Sequence, residues 1–144
     1  MQLSTKTIKI IKQSAHLVTA NAEEITSQVY VTLFMKYPDI KKLFVNAPND
    51  QFSILAEAIS AYAVNIDKLY KLEPALDIIA RTHVKENIKP LHYPTVGMVF
   101  IQALEDVLKE NATIEFLDAW KEAYKYLSYV LINMEDKLSS RELI

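Results

Sequence analysis

The chain contains no cysteine, which excludes disulfides, thiolate-held zinc, iron-sulfur clusters and thiol catalysis together. It holds a single glycine, Gly97. Loops that cradle nucleotide phosphates need several neighbouring glycines so that the backbone can approach the phosphate, so a flavin or nicotinamide domain is excluded within these residues. An excess of either charge is also lacking, with 16 Lys and Arg against 18 Asp and Glu and a formal net charge of -2 at pH 7. No basic footprint for nucleic acid results, and short runs such as Lys41-Lys42 read as solvated surface. No apolar run approaches the roughly 18 residues of a membrane span, and the first residues lack the apolar stretch of a secretory leader. The expectation is therefore a cytoplasmic chain with neither nucleic acid nor a membrane as partner.

A length of 144 residues suits one domain, over residues 1–144, with a core that needs no covalent staples. Apolar residues recur at helical spacing almost throughout, and two-residue alternation is scarce. A first helix is expected over 4–20, capped by Ser4 and buried through Ile8, Ile11, Ala15 and Val18. Asn21 with Glu24 has the form of a capping box opening a second helix, which Pro38 ends and from which a short piece over 38–44 restarts. A turn-rich corner over 45–50 precedes a helix over 51–65, and a linker over 68–73 leads to a helix that Pro74 starts and that runs to about 86. A break at 87–90 precedes a helix over 92–109, with Pro94 tolerated in its first turn, and Thr113 caps a last helix ending near 137. Seven to eight helices of unequal length are expected, an all-α architecture unlike the equal rods of a four-helix bundle.

Few residues offer chemistry. Of the three histidines, His83 lies four residues after Ile79 and one turn before Asn87, on an otherwise apolar face. Spacing alone is compatible with a ligand or with a helix histidine that satisfies itself. No HxxxH or HExxH pattern supports zinc. Glu135, four residues after Leu131, stands at the edge of the apolar arc of the last helix. It either faces solvent or is buried with a donor, since a buried unpaired carboxylate costs several kcal/mol. Tyr30, Phe34 and Phe44, and the stripe Trp120 with Tyr124, read equally well as core aromatics.

The segment over 79–97, IARTHVKENIKPLHYPTVG, resembles the region around the iron ligand in single-domain bacterial haemoglobins and in the globin domain of flavohaemoglobins. Tyr30 and Phe34 before a proline corner, Phe44 after it, Gln51 with Leu55, Asp118-Ala119-Trp120 with Tyr124, and Glu135 agree in order, so the likeness spans about 7–138. The resemblance implies a globin fold around one non-covalent haem b, with His83 as the iron ligand. It implies that His83, Tyr93 and Glu135 form a hydrogen-bonded set behind the iron, which fixes the imidazole and makes it more electron-donating. It also implies that Tyr30 and Gln51 donate hydrogen bonds to dioxygen, and that Phe44, Leu55, Val96 and Phe100 line the cofactor. Two positions depart from the pattern. Thr82 stands where relatives carry lysine before the ligating histidine, which leaves Arg81 or Lys85 for the propionates; Phe52 stands where relatives carry proline after the glutamine.

Implied by the same resemblance are reversible dioxygen binding for storage, delivery or supply and, alternatively, conversion of nitric oxide to nitrate. The second needs electrons, and since no flavin or nicotinamide reductase domain is expected here, they would come from a separate flavin reductase. Carbon monoxide is expected as a further gas ligand. A haem-free helical interaction module is the remaining class, which a Soret band would exclude.

Overall fold

A computed structural model describes residues 2–142, with side chains described through 140. Helix α1 runs from Thr5–Lys36, α2 from Pro38–Lys41, α3 from Gln51–Val64, α4 from Glu73–Lys85, α5 from Tyr93–Leu108 and α6 from Ile114–Glu142. Single turns of 3-10 helix follow α2, precede α4 and α5, and follow α5. The all-α fold holds, with six α-helices among the described residues rather than the expected seven or eight.

The difference lies in α1, which passes through Asn21 without a break. Asn21 does not cap a second helix; its side-chain amide donates to Leu17 O at 2.8 Å, one turn back. The physical reason is the buried stripe Ile11, Ala15, Val18, Ala22, Ile25, Val29 and Leu33, which keeps its three-to-four spacing across the expected cap. Packing along a continuous stripe outweighs a local cap signal of about 1 kcal/mol.

The other boundaries follow local chemistry. Ser4 Oγ accepts from Thr7 N at 3.2 Å and Thr113 Oγ1 from Phe116 N at 3.1 Å, so both long helices begin on hydroxyl caps. Pro38, Pro74 and Pro94 each sit in a first turn, where the missing N–H removes no helical bond. One cluster of buried side chains unites α1, α3, α5 and α6 and centres on Trp120, Ile11, Ile25, Leu33, Ile66 and Leu104. Helix α4 packs against α6 rather than into that cluster, which leaves its His83 face beside Glu135. Among the described residues no helix is long and apolar enough to cross a membrane.

Candidate functional site

His83 projects from the last turns of α4, Tyr93 opens α5, and Glu135 lies late in α6. Their polar atoms form a triangle. His83 Nδ1 is 2.8 Å from Glu135 Oε2 and 2.9 Å from Tyr93 Oη, and Tyr93 Oη donates to Glu135 Oε2 at 2.6 Å. The side chain of Glu135 is only 8% exposed, so this carboxylate is not a solvent-edge residue. It can accept from both neighbours, and a buried carboxylate requires such donors. Burial, and next the Glu135 carboxylate, push the Tyr93 phenol up, so it stays a protonated donor at neutral pH.

The triangle is braced from behind. Tyr124 Oη donates to Tyr93 O at 2.8 Å, and burial pushes its phenol up as well. The only glycine makes room for that ring, because a Cβ on Gly97 would stand 2.5 Å from Tyr124 Cε2 and 2.8 Å from Cδ2. Sequence reasoning placed Tyr124 in the core and Gly97 in a resemblance; their contact is visible only once α5 and α6 are packed. Phe100 is buried edge-on to Trp120 at 5.6 Å and tilted against Tyr124 at 6.1 Å, and half-buried Val96 packs against the same core.

A second group forms where α1 meets α3. Gln51 Nε2 donates to Tyr30 Oη at 3.2 Å, and burial pushes the Tyr30 phenol up against the opposing effect of that bond. The oxygen of Tyr30 is thus already an acceptor, and its own proton has no acceptor within this pair. Phe44 lies edge-on to Tyr30 at 5.2 Å, Phe34 is 5.7 Å from Tyr30, and Leu55 is half-buried one turn after Gln51. Asn46, in the corner before α3, donates to Glu86 Oε2 at 3.2 Å, just beyond α4. Of the two cations, Arg81 is engaged by Asp77 at 2.9 Å on the exposed face of α4, and Lys85 is exposed in its last turn. One residue here was missed by sequence reasoning. Thr26, fully buried one turn before Tyr30, donates to Phe52 O at 2.9 Å.

With Nδ1 committed to Glu135, the imidazole of His83 presents Nε2 as a lone-pair donor suited to a metal. Among the described residues no three His, Cys, Asp or Glu side chains are grouped to hold a bare ion. A metal on His83 must bring most of its ligands with it, as porphyrin iron does, and the donor set therefore fits haem.

Comparison with known proteins agrees. The sequence profile of the globin family matches residues 27–131. An uncharacterized globin-like protein of Aquifex aeolicus is 47% identical over 139 residues, covering 96% of this chain and 99% of that one. A flavohemoprotein of Rhodopirellula baltica is 43% identical over 92% of this chain, which spans only 33% of its length. Among solved structures, an engineered carbene transferase that is a provisional nitric oxide dioxygenase of Rhodothermus marinus superposes with a TM-score of 0.95 at 30% identity. That match covers 99% of this chain and 100% of the other.

Proposed function

The chain belongs to the globin family and takes haem as its cofactor, and on that premise we propose that it is a single globin domain over 1–144 that binds dioxygen reversibly, with His83 holding the iron. Haem, when bound, would supply an iron able to take up a diatomic gas and to exchange one electron. His83 Nε2 is the ligand, and Glu135 accepts the proton of Nδ1, which fixes the ring and raises the basicity of Nε2. Tyr93 donates its proton to the same carboxylate and keeps it aimed at His83.

Tyr30 carries the gas-binding reading. Because its oxygen accepts from Gln51, its own proton is kept for an outer oxygen atom bearing partial negative charge, and the donated bond polarises that O–H further. Phe44 and Leu55 exclude water from the pair, and Val96 and Phe100 back the cofactor. Lys85 is the better placed cation for a propionate, since Arg81 is engaged by Asp77. The role proposed on this reading is oxygen storage, delivery or supply.

The charged acceptor behind His83 favours a second reading, nitric oxide dioxygenation. Nitric oxide, dioxygen and one electron give nitrate, with the electron drawn from a separate flavin reductase. A carboxylate-backed imidazole favours such redox work more than simple carriage requires. The name of the Rhodothermus relative and the flavohemoprotein match lend it support. One experiment separates the two: nitric oxide is supplied under air to the haem protein with a flavin reductase, and nitrate is counted per haem. One nitrate or fewer per haem, with rapid reversible oxygenation, supports carriage; many turnovers establish the dioxygenase.

A further inference from the structure

Thr26 is fully buried, yet its hydroxyl proton has an acceptor on another helix, Phe52 O at 2.9 Å. A threonine inside a helix ordinarily returns its proton to a carbonyl one turn back on its own helix. Glu23 O offers that acceptor at 3.2 Å, and the closer one is on α3. Among the described residues, the side-chain hydrogen bonds to the first turn of α3 are this one and that of Gln51. Asp50 makes no side-chain cap bond, the corner over 45–50 is largely exposed, and Phe52 is itself 39% exposed. Thr26 and Tyr30 are one turn apart on one face of α1, and Gln51 and Phe52 are adjacent on α3. That face therefore grips the start of α3 twice, by the main chain of Phe52 and by the side chain of Gln51.

We infer that Thr26 is a positioning residue for the gas site, its hydroxyl setting the start of α3 against α1 so that the Gln51 amide reaches the Tyr30 hydroxyl. The inference rests on the reading of Tyr30 and Gln51 as the donors that face the gas. Thr26 bonds to the main chain of α3 and acts through Gln51. Without its bond the first turn of α3 moves away from α1, Gln51 releases Tyr30, and the Tyr30 proton is less polarised.

The test uses haem-loaded wild type, Thr26→Val, Thr26→Ser, Thr26→Ala, Tyr30→Phe, Gln51→Ala and the Thr26→Val/Gln51→Ala double variant. It reads dioxygen release by stopped flow and the C–O stretching band of the carbon monoxide-saturated protein. Thr26→Val speeds dioxygen release about three- to tenfold, no more than Gln51→Ala does because it acts through Gln51, and moves the C–O band toward that of Gln51→Ala. Thr26→Ser restores release to within about twofold of wild type because it keeps the hydroxyl. Thr26→Ala behaves as Thr26→Val and replaces it if valine prevents folding. In the Gln51→Ala background the Thr26→Val substitution adds nothing, since the two act in series. Wild-type release in both hydroxyl-less variants, release in Thr26→Ser as fast as in Thr26→Val, or an undiminished Thr26→Val effect in the Gln51→Ala background overturns the role of Thr26. Tyr30→Phe separates this from the underlying reading: wild-type release there sinks the donor assignment, whereas fast release there beside wild-type release in Thr26→Val sinks the positioning role alone.

Discussion

Around His83, side chains from three helices close a triangle with edges of 2.8, 2.9 and 2.6 Å, one corner of which is a buried carboxylate; around Tyr30, two side chains from two helices meet at 3.2 Å beside an exposed corner. The first group spends its donors internally. Nδ1 and the Tyr93 hydroxyl both converge on Glu135, so the ring is oriented before any gas arrives. The second group leaves a proton of Tyr30 without an acceptor in the pair, so it can answer whatever enters. On the proposed reading, rigidity is concentrated on the side assigned to the cofactor, and unsatisfied hydrogen-bonding capacity on the side assigned to the gas.

The largest expected effect breaks the first group at its centre. His83→Ala loses most of its haem on gel filtration, read as Soret absorbance per protein, because among the described residues no group of three His, Cys, Asp or Glu side chains is placed to hold iron in its stead. Full occupancy with an unchanged iron–histidine stretching band would remove His83 from its role. Next in size, Tyr30→Phe speeds dioxygen release about ten- to a hundredfold, since a hydrogen bond to a partly charged acceptor in a dry pocket is worth roughly 1.5 to 3 kcal/mol. Carbon monoxide, with little charge on its outer atom, leaves at nearly the wild-type rate. Equal acceleration of both gases would mean that Tyr30 shapes the cavity and donates nothing.

Gly97→Ala strikes the brace behind the first group. Its Cβ would enter the Tyr124 ring at 2.5 Å, so thermal unfolding should show a loss of about 1 to 3 kcal/mol, with Tyr124 displaced from Tyr93 O. Wild-type stability would show that the helices give way at no cost. Smaller still, Gln51→Ala speeds dioxygen release by only about three- to tenfold, because it removes polarisation of the donor rather than the donor. A greater effect than in Tyr30→Phe would reverse the ranking of the two.

Much of this was legible in the chain because it depends on near neighbours. The hydroxyls of Ser4 and Thr113 and the prolines at 38, 74 and 94 announce helix starts that the fold uses. Asn21 with Glu24 misleads for the same reason: the capping signal is local, whereas the stripe through Val18, Ala22 and Ile25 is satisfied only against α3, α5 and α6. Glu135 could be singled out by its position on an apolar arc. Its burial could not, because its donors lie 52 and 42 residues away along the chain. Thr26 carried no signal at all, since a helix threonine looks self-satisfied until the crossing of α1 and α3 brings Phe52 O within reach.

On the proposed reading, Glu135 accepts a hydrogen bond from His83 Nδ1–H and so sets the ligand before the gas side acts. Glu135→Gln tests it most directly, by resonance Raman of the reduced haem protein, because the amide still accepts the ring proton but carries no charge. The imidazole then loses imidazolate character, and the iron–histidine stretching band moves to lower frequency while haem content holds. A band that stays where it is in wild type would mean that the carboxylate 2.8 Å from His83 Nδ1 lends the ligand nothing, and the first group would be packing alone.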